Sequence, residues 1–92
     1  MKPPKQSQYP KELTLSGDTY RIIFVDGLKD YGYCDSGTKE IFIRAGMRPS
    51  TTLKTFIHEC IHMIEFTSDF ELPHKQVYLL ENAIYKLLVD NL

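Results

Sequence analysis

The 92 residues of this chain suit one domain, because most domains have roughly 100–150 residues and a shorter chain cannot divide its core. With 42% hydrophobic and 25% charged residues, its composition is that of a soluble globular protein and argues against a disordered or membrane protein. The formal net charge is −1 and the basic residues are dispersed, so neither nucleic acid nor a membrane is expected as the primary ligand.

The first ten residues, MKPPKQSQYP, are predicted to form a flexible polar tail, because they contain three prolines and no apolar run. We find neither a signal peptide nor a transmembrane segment in the sequence and therefore expect a cytoplasmic location. Cys34 and Cys60 are accordingly expected to be reduced. Residues 11–92 are predicted to form the single domain.

Strands are predicted in the first half of the chain, in segments rich in β-branched and aromatic residues: 12–16, 19–26, 31–35 and 39–44. Gly17 and Asp18 form a turn pair that predicts a hairpin between the first two strands. In the last strand, Ile41 and Ile43 alternate with partly polar residues, which is typical of an edge strand.

Two amphipathic helices are predicted in the second half, from Ser50 as N-cap to about Phe66 and from about 74 to 90. The residues expected to be buried are Leu53, Phe56, Ile57, Cys60, Ile61, Ile64, Val77, Leu80, Ile84, Leu87 and Leu88. The predicted fold class is therefore α+β: a small antiparallel or mixed sheet of about three or four strands followed by two helices.

Residues 58–62 read His-Glu-Cys-Ile-His, a match to the HExxH pattern. On a helix, positions i and i+4 lie about 40° apart and one turn along the axis, so His58 and His62 can bind one Zn²⁺ ion. Glu59 can then take a proton from a metal-bound water as that water attacks a carbonyl. The alternative is a chance match, but the motif lies in the middle of a predicted helix that follows a sheet.

A catalytic zinc site needs a third protein ligand, and Glu65, His74 and Glu81 are the candidates. Glu65 follows His58 by seven residues, about 10 Å along the same helix, which is too far for both to bind one ion. Glu65 is therefore predicted either to support the site from outside the ligand set or to be solvated. His74 begins the second helix, where a surface capping role is the alternative.

Glu81 stands near the middle of an apolar and aromatic face, with Val77, Tyr85 and Leu88 within about 40° of it. Because an unpaired buried charge is strongly disfavoured, Glu81 is expected to have a cation or hydrogen-bond donors beside it. Metal ligation would supply the cation, and a hydrogen bond to a tyrosine or to the backbone is the alternative.

A hydrogen-bond donor is also needed for the developing oxyanion. The candidates are Tyr33, Tyr78, Tyr85 and His74, and aromatic packing is the alternative role for each tyrosine.

With these residues the chain resembles the gluzincin branch of the zincin metallopeptidases, and is most similar to compact cytoplasmic zincins of bacteria and phages. That resemblance covers roughly residues 20–92 and implies Glu81, nineteen residues after His62, as third ligand. It also implies that the strand at 39–44 pairs with an extended substrate. The chain departs from thermolysin-like enzymes at Tyr85, where those enzymes carry an acidic residue.

The predicted function is a zinc-dependent endopeptidase acting on a peptide or protein substrate. The alternative is a non-catalytic, zinc-stabilised module that grips a partner protein with the edge strand 39–44. A DNA-binding accessory with an incidental HExxH is a third possibility, which the few and dispersed basic residues disfavour.

Overall fold

The computed structural model describes residues 2–92 as a four-stranded mixed sheet followed by two helices, which confirms the predicted α+β class. The elements in chain order are β1 (Glu12–Leu15), β2 (Asp18–Val25), β3 (Gly32–Asp35), β4 (Glu40–Arg44), α1 (Pro49–Ser68) and α2 (His74–Asn91). Within the described part of the chain, neither helix combines the length and the apolar content needed to cross a membrane.

The strand order in the sheet is β1-β2-β4-β3. β1 and β2 form the predicted hairpin, and Ser16 and Gly17 in its turn both have positive φ, 51° and 86°. Positive φ at both central residues gives the turn the twist that a tight hairpin needs. β2 and β4 run parallel, while β3 pairs antiparallel with the other side of β4.

β4 lies inside the sheet, so the prediction of an edge strand at 39–44 is wrong. The polar residues that suggested an edge have partners within the fold. Glu40 forms an ion pair with Arg21 of β2, and the Arg44 guanidinium donates to the carbonyl of Leu28 at 2.7 Å. The edge on this side of the sheet is β3, which packs directly against α1.

α1 lies between the sheet and α2 and contributes to two core clusters. Met63 packs with the sheet, whereas Leu53, Ile57 and Ile61 pack with Val77 of α2. Among the elements of residues 2–92, α1 is the one helix that packs against α2, so part of the predicted apolar face of α2 remains exposed. The predicted core residues that are exposed are Ile64, Leu80 and Leu87.

Part of the predicted tail at 1–10 packs against the domain. Gln6–Gln8 form a short 3-10 helix, and Tyr9 is buried in the core against Phe24 and Phe56, with ring centroids 5.6 and 5.0 Å apart. The residues around Tyr9 in the sequence are polar and gave no sign that this segment is anchored. One buried aromatic ring is enough to anchor a short segment. Met1, the first residue of that predicted tail, lies outside the described residues.

Candidate metal centre

The two motif histidines converge on one point. His58 and His62 are one turn apart on α1, and their Nε2 atoms are 3.1 Å apart. Their side chains are 13% and 22% exposed, so the rings are partly buried but remain accessible from one side. They line a cleft of about 710 Å³ whose walls come from β3, α1 and α2.

A carboxylate holds the other nitrogen of each ring. Oε1 of Glu81 is 2.7 Å from Nδ1 of His58, and Oε1 of Glu65 is 2.6 Å from Nδ1 of His62. Burial alone would raise the pKa of Glu65, but hydrogen bonds from the Leu72 amide and His62 lower it below its ordinary value. A carboxylate oxygen beside Nδ1 favours the tautomer in which Nδ1 carries the ring hydrogen and donates it.

With hydrogen on Nδ1, both Nε2 atoms carry a lone pair towards the same point. Two lone pairs 3.1 Å apart repel each other unless a cation lies between them. Zinc binds imidazole nitrogen at about 2.0–2.1 Å, and two such ligands at a tetrahedral angle lie roughly 3.4 Å apart. The spacing and tautomers of the histidine pair therefore fit a zinc ion.

His74 is the residue that the fold brings to this pair. The candidate ligand atoms of His58, His62 and His74 all lie within 4.8 Å of one another. His74 is the first residue of α2 and is exposed, so its side chain has room to turn towards the other two. No side chain makes a capping hydrogen bond at this helix start, so the capping role considered from the sequence has no support there.

Glu81 lies at the far side of the His58 ring. Its Oε1 contacts Nδ1, whereas His62 faces Nε2 of the same ring. The sequence required a cation or donor beside this carboxylate, and the structure supplies an imidazole N–H. The same contact gives His58 the orienting partner that the departure from the thermolysin-like pattern at Tyr85 left unidentified.

Glu59 points into the cleft from a different side of α1 and is only 5% exposed. Burial raises the pKa of Glu59 to about 7, and the negative charge of Glu81 adds to the effect. Gly32 of β3 allows the strand to lie close to α1. A Cβ at Gly32 would lie 2.7 Å from the backbone oxygen of Phe42 and 2.8 Å from Cγ2 of Thr55.

The raised pKa of Glu59 predicts how the stability of the metal-free protein depends on pH. The folded state holds a proton on Glu59 more tightly than the unfolded state, so Glu59 should destabilise the fold progressively as pH rises from 4.5 through about 7. A rise of this size corresponds to roughly 3 kcal/mol. Glu59→Gln should therefore be more stable than wild type above about pH 7 and equally stable near pH 4, measured by urea unfolding across that range. If the free energies of unfolding of the two proteins changed in parallel with pH, Glu59 would not have the raised pKa that its burial implies.

Of the tyrosines predicted as oxyanion donors, Tyr78 is the one whose ring contacts a motif histidine. Its ring centroid lies 5.0 Å from that of His58, and it lines the cleft. Tyr33 also lines the cleft, from β3. Tyr85 packs against the core, with Nζ of Lys54 at 4.8 Å from its ring centroid.

Sequence reasoning placed Glu65 and Glu81 near the site without identifying which atoms they contact. Glu65 follows His62 by three positions, a spacing at which helical side chains meet, so this contact was detectable in the sequence. The contact between Glu81 and His58 spans 23 positions and depends on how α2 packs against α1.

Comparisons with protein-family models, curated proteins and solved structures gave no match.

Proposed function

We propose that this protein is a zinc-dependent peptidase in which His58, His62 and His74 hold the metal and Glu59 is the general base. The observation that carries the proposal is the convergence of the two Nε2 atoms at 3.1 Å, each on a ring whose Nδ1 is held by a carboxylate. Histidines that merely happened to lie on one helix face would not need a carboxylate at each Nδ1 to set their tautomers.

A zinc ion here would polarise the substrate carbonyl and acidify the attacking water. Glu59 opens into the same cleft and would accept the proton of that water, then deliver it to the leaving amine. A carboxylate held in the cleft can take part in both transfers. Tyr78 beside His58 would offer its hydroxyl to the developing oxyanion.

The free edge of β3 is the proposed binding surface for an extended substrate. Arg44 N–H donates to the Tyr31 carbonyl at 2.7 Å, so by antiparallel alternation the backbone groups of Gly32 and Cys34 point away from β4. Both residues line the cleft that contains the histidines. A peptide added to this edge would pass over the metal centre. β3 thus takes the role that the resemblance implied for residues 39–44.

The test uses the purified full chain. Zinc-loaded crystals should show an anomalous peak at the zinc edge in contact with Nε2 of His58 and His62, and the protein should bind one zinc per chain. It should cleave members of a mixed peptide library, lose that activity to a chelator and regain it with zinc. Protein that binds no zinc, or histidines that point apart in the crystal, would overturn the proposal.

The free edge also favours one alternative. Stoichiometric zinc without cleavage of any library peptide would indicate a non-catalytic module that binds a partner protein along β3. In that case partner binding should be unaffected by Glu59→Gln, because Glu59 would have no proton to transfer.

A further inference from the structure

We infer that Glu65 is a positioning residue that couples two of the proposed ligands, orienting His62 with one oxygen and holding the chain that leads to His74 with the other. The inference rests on the proposed zinc site and concerns how its geometry is set.

Both carboxylate oxygens of Glu65 have a partner. Oε1 is 2.6 Å from Nδ1 of His62, and Oε2 accepts the backbone N–H of Leu72 at 2.7 Å. The side chain is only 7% exposed. A charge buried to this degree is tolerated only where hydrogen bonds compensate the loss of water, and here both bonds lead to the proposed ligands.

Glu65 also organises the connection between the helices through its backbone. Its carbonyl oxygen accepts the N–H of Asp69, which ends α1 in a left-handed conformation, and that of Phe70 at 3.2 Å. Leu72 then packs its side chain against the core, and His74 follows two positions later. One residue therefore sets both the ring of His62 and the point at which α2 begins.

The chemistry of an amide at this position shows why a carboxylate is required. In Glu65→Gln, keeping the oxygen on His62 would turn the NH₂ group towards the Leu72 N–H, donor against donor. The flipped amide would place its NH₂ at Nδ1 of His62 and force the ring hydrogen onto Nε2, where it blocks metal binding. The first orientation loses the contact with Leu72, and the second keeps both contacts only with the His62 tautomer that cannot bind the metal through Nε2.

The test is a zinc competition titration against a chromophoric chelator for wild type, Glu65→Gln and Glu71→Gln. Glu71 is exposed and lies in the same connection, so its substitution makes the same charge change as a matched control. Zinc affinity should fall by about 10–100-fold in Glu65→Gln and stay within about twofold of wild type in Glu71→Gln. Equal affinities for the two variants would overturn the inference.

A double-mutant cycle with His74→Ala tests the coupling itself. If Glu65 acts partly by placing His74, the loss of affinity caused by Glu65→Gln should be smaller in the His74→Ala background than in wild type. An identical loss in both backgrounds would restrict Glu65 to His62 and reject the coupling.

Two measurements on metal-free protein separate this inference from the proposed function. The backbone amide of Leu72 should exchange its hydrogen slowly in wild type and Glu71→Gln and faster in Glu65→Gln. NMR chemical shifts of the imidazole nitrogens should place the ring hydrogen of His62 on Nδ1 in wild type. If the wild-type protein binds no zinc but shows both signatures, the proposed peptidase function is rejected and the Glu65 contacts are retained. If the Leu72 amide exchanges rapidly in wild type, the proposed role of Glu65 is rejected even when the enzyme binds zinc.

Discussion

Glu59→Gln is expected to lower kcat for peptide cleavage by about 10²–10⁴-fold while leaving one zinc bound per chain. The amide has nearly the shape of the carboxyl group but cannot accept a proton from the attacking water. Because Glu59 is buried in the cleft beside the histidines and is not among the grouped ligand atoms, its loss should affect proton transfer and not metal binding. Steady-state kinetics on a peptide selected from the library, with metal content measured on the same samples, check this result.

Two features of the Glu59 experiment exclude trivial explanations. In the metal-free state, Glu59→Gln should be more stable than wild type at neutral pH, so lost activity cannot be ascribed to a weakened fold. Glu71→Gln makes the same charge change at an exposed position and should keep wild-type kcat. A Glu59→Gln protein that cleaves at the wild-type rate would reject Glu59 as the base.

The second large effect is expected at His74. Removing one of the three proposed imidazole ligands in His74→Ala should weaken zinc binding by roughly 100-fold, since zinc binding in proteins amounts to several kcal/mol per ligand. Glu81→Gln should have the smaller effect of about 10–100-fold, because the amide oxygen can still accept from Nδ1 of His58. Titration with a competing chelator measures both affinities.

X-ray absorption at the zinc edge decides between His74 and Glu81 as the third ligand. The scattering pattern should report three imidazoles in wild type and in Glu81→Gln, and two in His74→Ala. Two imidazoles in wild type, together with loss of an oxygen ligand in Glu81→Gln, would restore Glu81 to the metal as the resemblance implied. The grouping of the three histidines within 4.8 Å favours the first outcome.

The edge strand illustrates how local patterns lead to a wrong position in the sheet. Alternation of apolar and polar residues at 39–44 describes a strand with one buried face, which interior and edge strands share. What distinguishes them is whether a strand pairs on both sides, and β4 pairs with β2 and β3. Neither the pairing of β4 with the earlier β2 nor the return of β3 along its other side is encoded in the pattern of β4 itself.

The sequence by itself determined the α+β class, the positions of four strands and two helices, and the convergence of His58 and His62. These depend on short-range periodicity, because a helix repeats every 3.6 residues wherever it lies. Only the tertiary structure decided that β3 is the free edge, that Glu81 contacts Nδ1 of His58, and that His74 lies with the histidine pair. Those contacts depend on how α2 is rotated and placed against α1, and that placement results from packing the whole core, including the connection held by Glu65.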